Sequence, residues 1–406
     1  MNKILRKYSL PVGLFAAISF ASCDRQPSDN LTSGGSSNTT TSGTGGGLVV
    51  GGGGGNGGTV QPPKTILDER VKDYNEALRT ASLKLVRDLP TLEQIKALQQ
   101  ASNKKVAYEE AIDELLADPR FAARLVKYWK DVMRQAGGAN NGKPSRDTAP
   151  NFAARVMWED QPFTNVFTAA GNNCPSFDGN TTTFADGECN NAAPQQAGVL
   201  TNPGTMSQFY GNMAFRRVRW VQEVFVCTKF PAEYSETPVQ MGAADYMSPW
   251  EFETVVTSPI NFQDTSSVIC ANCHTTMNHI APLFGRFDAN GQFQNDFAVM
   301  TPIAPDPVTT QLNHWLRDGE QLSWRKGEPT PDYAALGQAV ASDPDVHECA
   351  VARMWNWAFS KEDIVTDLAT VPPEVIEQYV VEFITNGYNL KDVLRSILKS
   401  DDFVSF

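Results

Sequence analysis

The amino-acid sequence predicts a mainly α protein: a multi-helix body with long irregular loops, preceded by a disordered amino-terminal tether. Three observations lead there. Apolar residues recur at helical spacing through 64–138 and again through 334–406, punctuated by proline and acidic cap signals. From Asp24 to Pro62 the chain is largely Ser, Thr and 13 glycines, too poor in apolar surface to fold. One short stretch, Cys270-Ala271-Asn272-Cys273-His274, has the Cys-x-x-Cys-His spacing of c-type haem attachment. The segment 262–333 around it therefore reads as c-type-cytochrome-like.

Residues 1–23 read as a targeting segment. Lys3, Arg6 and Lys7 are followed by an apolar run, Leu10 to Ala21, of 12 residues, too short to span a bilayer. Phe20-Ala21-Ser22-Cys23 resembles a lipobox, which implies a lipid on Cys23 and export through a lipoprotein-type signal peptide; an ordinary secretory signal is the alternative. The expected location is a bacterial outer membrane or cell surface, or its periplasmic face. Residues 24–63 would tether the body to that membrane over a root-mean-square span of roughly 35 Å.

The chain beyond residue 23 carries 31 Lys+Arg against 46 Asp+Glu, a formal charge of −15, which argues against nucleic acid as a partner and favours solubility or a basic redox partner, an acidic surface being usually only a solvated one. No later stretch stays apolar for 18 residues. A body of this length can bury one large core or two smaller ones.

In the first helical region, 64–138, a helix over Leu67–Arg87 shows Val71, Tyr74, Leu78, Leu83 and Val86 on one face. Asp88-Leu89-Pro90 ends it, and Thr91 with Gln94 forms a capping box for the next helix. Tyr108–Ala117 follows, then a break at Asp118-Pro119, then Phe121–Gln135. The stripe Phe121, Tyr128 and Trp129 reads as core rather than as a cofactor box.

The middle region, 139–261, opens loop-rich up to Ala197. Asp178-Gly179-Asn180 and Asp186-Gly187-Glu188 look faintly like calcium loops, but their spacing fits no EF-hand, and a solvated loop closed by a disulfide is the better reading. A helix from about Ala214 to Thr228 carries Arg216, Arg217 and Arg219. These could meet haem propionates, although structural ion pairs or a solvated face are the more ordinary use of such arginines.

At 270–274 the chemistry explains the spacing. Two thiols three residues apart lie on one face of a helical turn and can each add to a haem vinyl group, and His274 then serves as proximal ligand. A Cys270–Cys273 redox disulfide, half of a zinc site, and coincidence are the rival readings. Setting aside Cys23, Cys270 and Cys273 leaves Cys174, Cys189, Cys227 and Cys349. An even remainder outside the cytoplasm suggests two disulfides, with Cys174–Cys189 the natural local pair and Cys227–Cys349 the long one among three possible connectivities. For the sixth iron position, Met277 and His279 follow His274 too closely to cross the haem plane. Met300, 26 residues on, is the candidate, ahead of an open iron, although a core or loop methionine is the more ordinary reading of it. His314, His347, Met354 and Met247 are alternatives from other segments.

Several blocks resemble a secreted cytochrome-like family of planctomycetes and proteobacteria whose parts are catalogued as domains of unknown function. They are Arg87-Asp88-Leu89-Pro90-Thr91-Leu92-Glu93, Ala117-Asp118-Pro119-Arg120-Phe121 with Trp129, Trp158-Glu159-Asp160-Gln161-Pro162-Phe163, Gly198-Val199-Leu200-Thr201, Phe287-Asp288-Ala289-Asn290-Gly291, and the closing Gly387-Tyr388-Asn389-Leu390 and Ser400-Asp401-Asp402-Phe403. The order of these blocks carries more weight than any one of them. One departure is Asn278-His279, where the family commonly has Asp-Pro. The resemblance implies a secreted, haem-bearing helical protein and no particular substrate. Electron transfer is the most economical function; a haem peroxidase or sensor, and a surface-anchored binding or scaffold protein with a structural Cys-x-x-Cys, are the alternatives. No phosphate loop or nucleophile elbow is present.

Overall fold

The computed structural model describes residues 69–228, 268–300, 306–361, 363 and 370–406; side chains at 268–273, 275 and 326 lie outside that description. The signal segment, Cys23, the tether and Met247 all lie outside the described residues. The described residues all belong to one compact unit, Lys64–Phe406. They form fourteen α-helices and two small hairpins around one continuous core.

The first four helices are α1 (Tyr74–Leu85), α2 (Leu92–Gln100), α3 (Lys104–Ala117) and α4 (Pro119–Met133). Their starts follow from local chemistry. Asp73 caps α1, the Thr91–Gln94 capping box closes α2 from both sides, and Asp118 caps α4 with Pro119 at its first position. The expected start of α1 at Leu67 is too early. Residues before it run extended instead: Val71 and Phe406 exchange backbone hydrogen bonds, and Lys72 bridges to Ser405. Phe121 and Trp129 are core, as their helical spacing predicts.

Contrary to the loop-rich expectation for 137–197, a full helix, α5 (Thr148–Trp158), packs along α4, followed by the short α6 (Asn165–Thr168). The hairpin β1 (Ser176–Asp178) and β2 (Thr183–Ala185) then pairs Phe177 opposite Phe184. The Cys174–Cys189 disulfide closes this excursion, and the calcium-like carboxylates are otherwise engaged: Asp186 pairs with Arg155 at 2.8 Å, and Glu188 accepts the Asn172 N–H at 3.0 Å.

A 3-10 turn at Gly198–Thr201 leads into α7 (Pro203–Gln208) and α8 (Phe215–Phe225). Then come α9 (Val268–Phe284), the hairpin β3 (Phe297–Val299) with β4 (Val308–Thr310), and the carboxy-terminal helices α10 (Tyr333–Ser342), α11 (Pro344–Ala358), α12 (Pro373–Thr385), α13 (Leu390–Lys399) and α14 (Asp401–Val404). Helix α8 lies at the centre, against α4, α9 and α11, and the Cys227–Cys349 disulfide ties the residue just past α8 to α11. Both disulfides are those expected from the cysteine count. Among the described residues, no helix is long and apolar enough to cross a membrane.

Candidate functional site

The Cys-x-x-Cys-His stretch lies in the first half of α9, so positions 270, 273 and 274 fall within about one turn of a single helix. Farther along, Ile280, Leu283 and Phe284 are buried and fasten α9 to the core. Pro282 sits inside the helix and has no N–H to give to the carbonyl of Asn278, four residues back.

The carboxy-terminal end of α9 is held by one arginine. Arg217, on α8, is 1% exposed, and its guanidinium donates to the backbone carbonyls of Met206, Phe284, Phe287 (2.8 Å) and Asp288 (3.1 Å). A cation there faces the negative ends of α7 and α9. Burial pushes the guanidinium down to about 9, opposed by Tyr210 and Asp288. The Tyr333 hydroxyl donates to the Leu283 carbonyl at 2.7 Å, completing the clasp. Arg217 therefore serves backbone, while Arg219 pairs with Glu223 at 2.8 Å. Just past α9, Gly291 takes φ +70°, and a Cβ there would lie 2.2 Å from the Pro203 carbonyl oxygen. That contact explains why the Phe-Asp-x-x-Gly block ends in glycine.

His274 keeps part of its surface open but is set among protein atoms that strip water from the ring. That desolvation lowers its pKa to about 4, against an opposing hydrogen bond from Asn278, so the imidazole is neutral at ordinary pH. Its Nδ1 lies 3.1 Å from Asn278 Oδ1, one helical turn on. An amide oxygen only accepts, so Nδ1 carries the proton and Nε2 carries the lone pair. Phe215 meets the ring edge-on, with centroids 5.1 Å apart.

Phe215 is delivered by an unusual turn. Asn212, Met213 and Ala214 have φ of 46°, 53° and 65°, a left-handed run of three non-glycine residues, at a cost of on the order of 1 kcal/mol or more each. Surrounding bonds hold it: Met213 N–H donates to the Met300 carbonyl at 2.8 Å, and Trp315 Nε1 donates to the Met213 carbonyl at 3.2 Å. The turn packs against α9 as well. Met300, which is half-buried, and α9 thus share a neighbour, the turn at 212–214, which lies more than 50 residues before either.

Other candidates are committed elsewhere. His347 is buried between Phe383 and Tyr388 and donates from Nε2 to the Ala341 carbonyl at 2.8 Å. His314 Nδ1 accepts the Gln311 N–H at 3.0 Å. Met354 and Met277 are core. His279 is buried with its Nε2 at 3.5 Å from Glu320, whose carboxyl is raised by burial. Among the described residues, no group of three or more His, Cys, Asp or Glu is placed to hold a metal ion. The side chains of Cys270 and Cys273 lie outside the described residues.

Sequence reasoning noted Asn278 only as a departure from the resemblance and not as a partner of His274, and it missed Phe215 and the left-handed turn. The first had a signal, a polar residue at i+4 from His274 on a predicted helix. The other two depend on tertiary packing alone.

Residues 64–226 match a family model named PSCyt2 and residues 196–296 match one named PSCyt3, each described as a protein of unknown function (DUF1549 and DUF1588). The chain is thus similar, over 64–296, to cytochrome-associated families without an assigned activity. No curated protein and no solved structure matches it.

Proposed function

We propose that the chain is an exported c-type haem protein that transfers electrons, tethered to a membrane by a lipid on Cys23. The observation that carries this reading is the placement of His274: it follows a Cys-x-x-Cys on the same helix, and its Nδ1 lies 3.1 Å from the side-chain oxygen of Asn278, an arrangement that directs Nε2 to act as a ligand. That donor chemistry fits a haem iron, because metal-bound histidines give their second ring N–H to a protein acceptor. The names of the two matching families, PSCyt2 and PSCyt3, are consistent with it, and two disulfides suit an oxidising compartment.

Haem, when bound, supplies a one-electron couple at its iron. The protein's part is attachment, ligation and exclusion of water. Each of Cys270 and Cys273 would add its S–H across a vinyl group, forming one C–S and one C–H bond with no leaving group and no oxidant. His274 would ligate through Nε2, and Met300 remains the candidate for the opposite side. A thioether there would raise the reduction potential relative to a second imidazole.

The test is maturation in a host that attaches c-type haem. The wild-type protein should retain haem through denaturing, reducing electrophoresis, and Cys270→Ala/Cys273→Ala should not. A colourless wild type from such a host refutes the proposal. Inertness of the spectrum to carbon monoxide and cyanide would mark an electron carrier; a response to them would mark an open iron and favour peroxidase or sensor chemistry.

A further inference from the structure

On the reading that α9 carries covalent haem, we propose that Asn278 is the positioning residue of the iron ligand: its side-chain oxygen accepts a hydrogen bond from the His274 Nδ1–H, decides which ring nitrogen faces the iron, and as an uncharged acceptor keeps the reduction potential above the value a carboxylate would impose.

The geometry begins with the helix. Residues at i and i+4 are neighbours on one face, so Asn278 reaches His274 without any loop to order. Asn278 is 4% exposed, and its Oδ1 lies 3.1 Å from Nδ1, so water competes little for the bond. Phe215 meets the ring edge-on with an interplanar angle of 85°, which limits rotation about the axis the hydrogen bond leaves open. The buried carboxylate nearby is engaged differently. Glu320 lies against His279, five residues beyond His274 and therefore about 140° round the helix. The acceptor at His274 is thus an amide and carries no charge.

Charge is what the iron would register. A carboxylate pulls the Nδ1 proton and makes the imidazole a more basic ligand, which favours ferric over ferrous iron; a neutral amide leaves the ligand closer to plain imidazole. Asn278→Asp is nearly isosteric and changes only this property. Asn278→Leu keeps the bulk and removes the acceptor.

The experiment uses the full chain matured with haem in a host that attaches it: wild type, Asn278→Asp and Asn278→Leu. Covalent haem is scored by denaturing electrophoresis, the potential by redox titration, and ligand orientation by the low-spin electron paramagnetic resonance spectrum. All three should carry haem. Asn278→Asp should shift the ferric/ferrous equilibrium about tenfold towards ferric, about 59 mV for one electron. Asn278→Leu should shift it the other way and broaden the resonance as the ring loses its fixed orientation. Unchanged potentials in both variants, with haem in place, would reduce Asn278 to a packing residue and overturn the inference while leaving the haem reading intact. Loss of haem from Asn278→Asp with wild-type circular dichroism overturns it too, since a stronger acceptor should hold the ligand. Absence of haem from wild type would refute the underlying reading and this inference with it.

Discussion

Arg217 shows how much of the site depends on one side chain that would never touch a cofactor. Its guanidinium donates to carbonyls from α7, α9 and the turn after α9 through one planar fork of N–H groups. Arg217→Ala takes this donor from all four carbonyls, of which Phe284 and Asp288 keep the backbone N–H of Phe287 and Gly291, and should cost about 3 kcal/mol, read from urea unfolding. Arg217→Lys, which keeps the charge but not the fork, should recover only part of it. A loss within about 0.5 kcal/mol for the alanine variant, the level of an ordinary surface change, would mean that α9 is not held this way. The arginine-rich helix was visible in the sequence, and so were its two possible uses. Which carbonyls it serves was not, because they come from residues 206 and 284–288, set by packing rather than by spacing.

Helix boundaries divide into those written locally and those written by burial. Asp118 is of the first kind. Its carboxylate caps α4 by accepting the Arg120 N–H at 2.8 Å and pairs with the Arg120 guanidinium, which lowers its pKa in the folded state. A carboxylate depressed on folding contributes stability above its unfolded pKa and loses it as pH falls through the folded one. Asp118→Ala should therefore cost about 1 kcal/mol at neutral pH, and the gap from wild type should narrow as pH falls below the ordinary aspartate range and through the lowered folded value; thermal melts of both proteins across that range check it, and a gap independent of pH would rule the mechanism out. Such a cap is legible because donor and acceptor are two residues apart. Helix α5 is of the second kind. Ala149, Pro150, Asn151, Phe152, Ala153, Ala154, Val156 and Met157 are all buried, so most of its surface is enclosed, and small residues and Pro150 fill its first turns where longer apolar side chains would announce a helix. The 3-10 and left-handed turn before α8 is also silent in sequence, since Asn212-Met213-Ala214 contains no glycine to announce positive φ.

For the molecule as a whole, the cysteines carried the longest-range information. With Cys23 and the Cys-x-x-Cys pair set aside, four of the seven cysteines were left, and the local pair Cys174–Cys189 chose one of their three connectivities; the two observed disulfides are those. The Cys227–Cys349 bridge spans 122 residues. In the chain-entropy picture a closed loop of about that length is worth about 4.7 kcal/mol, so Cys227→Ser/Cys349→Ser should lower stability by several kcal/mol in chemical unfolding, well above the effect of Cys174→Ser/Cys189→Ser. Equal effects would show that native packing, rather than chain restriction, sets both. What no count could supply is the convergence of 211–215, 274–278, 300 and 315 on one neighbourhood, which is assembled by α8 and exists only once the core has closed.

The long bridge also changes the connectivity of the chain. Residues 227 to 349 form a covalent ring, and α9 with its Cys-x-x-Cys-His lies on it, between the two sulfur anchors. A single backbone cut anywhere on the ring opens it into two arms without releasing a fragment. Whatever is joined to Cys270 and Cys273 therefore stays linked to both ends of the protein after one such cut, and it parts from one of them only when the disulfide is reduced as well.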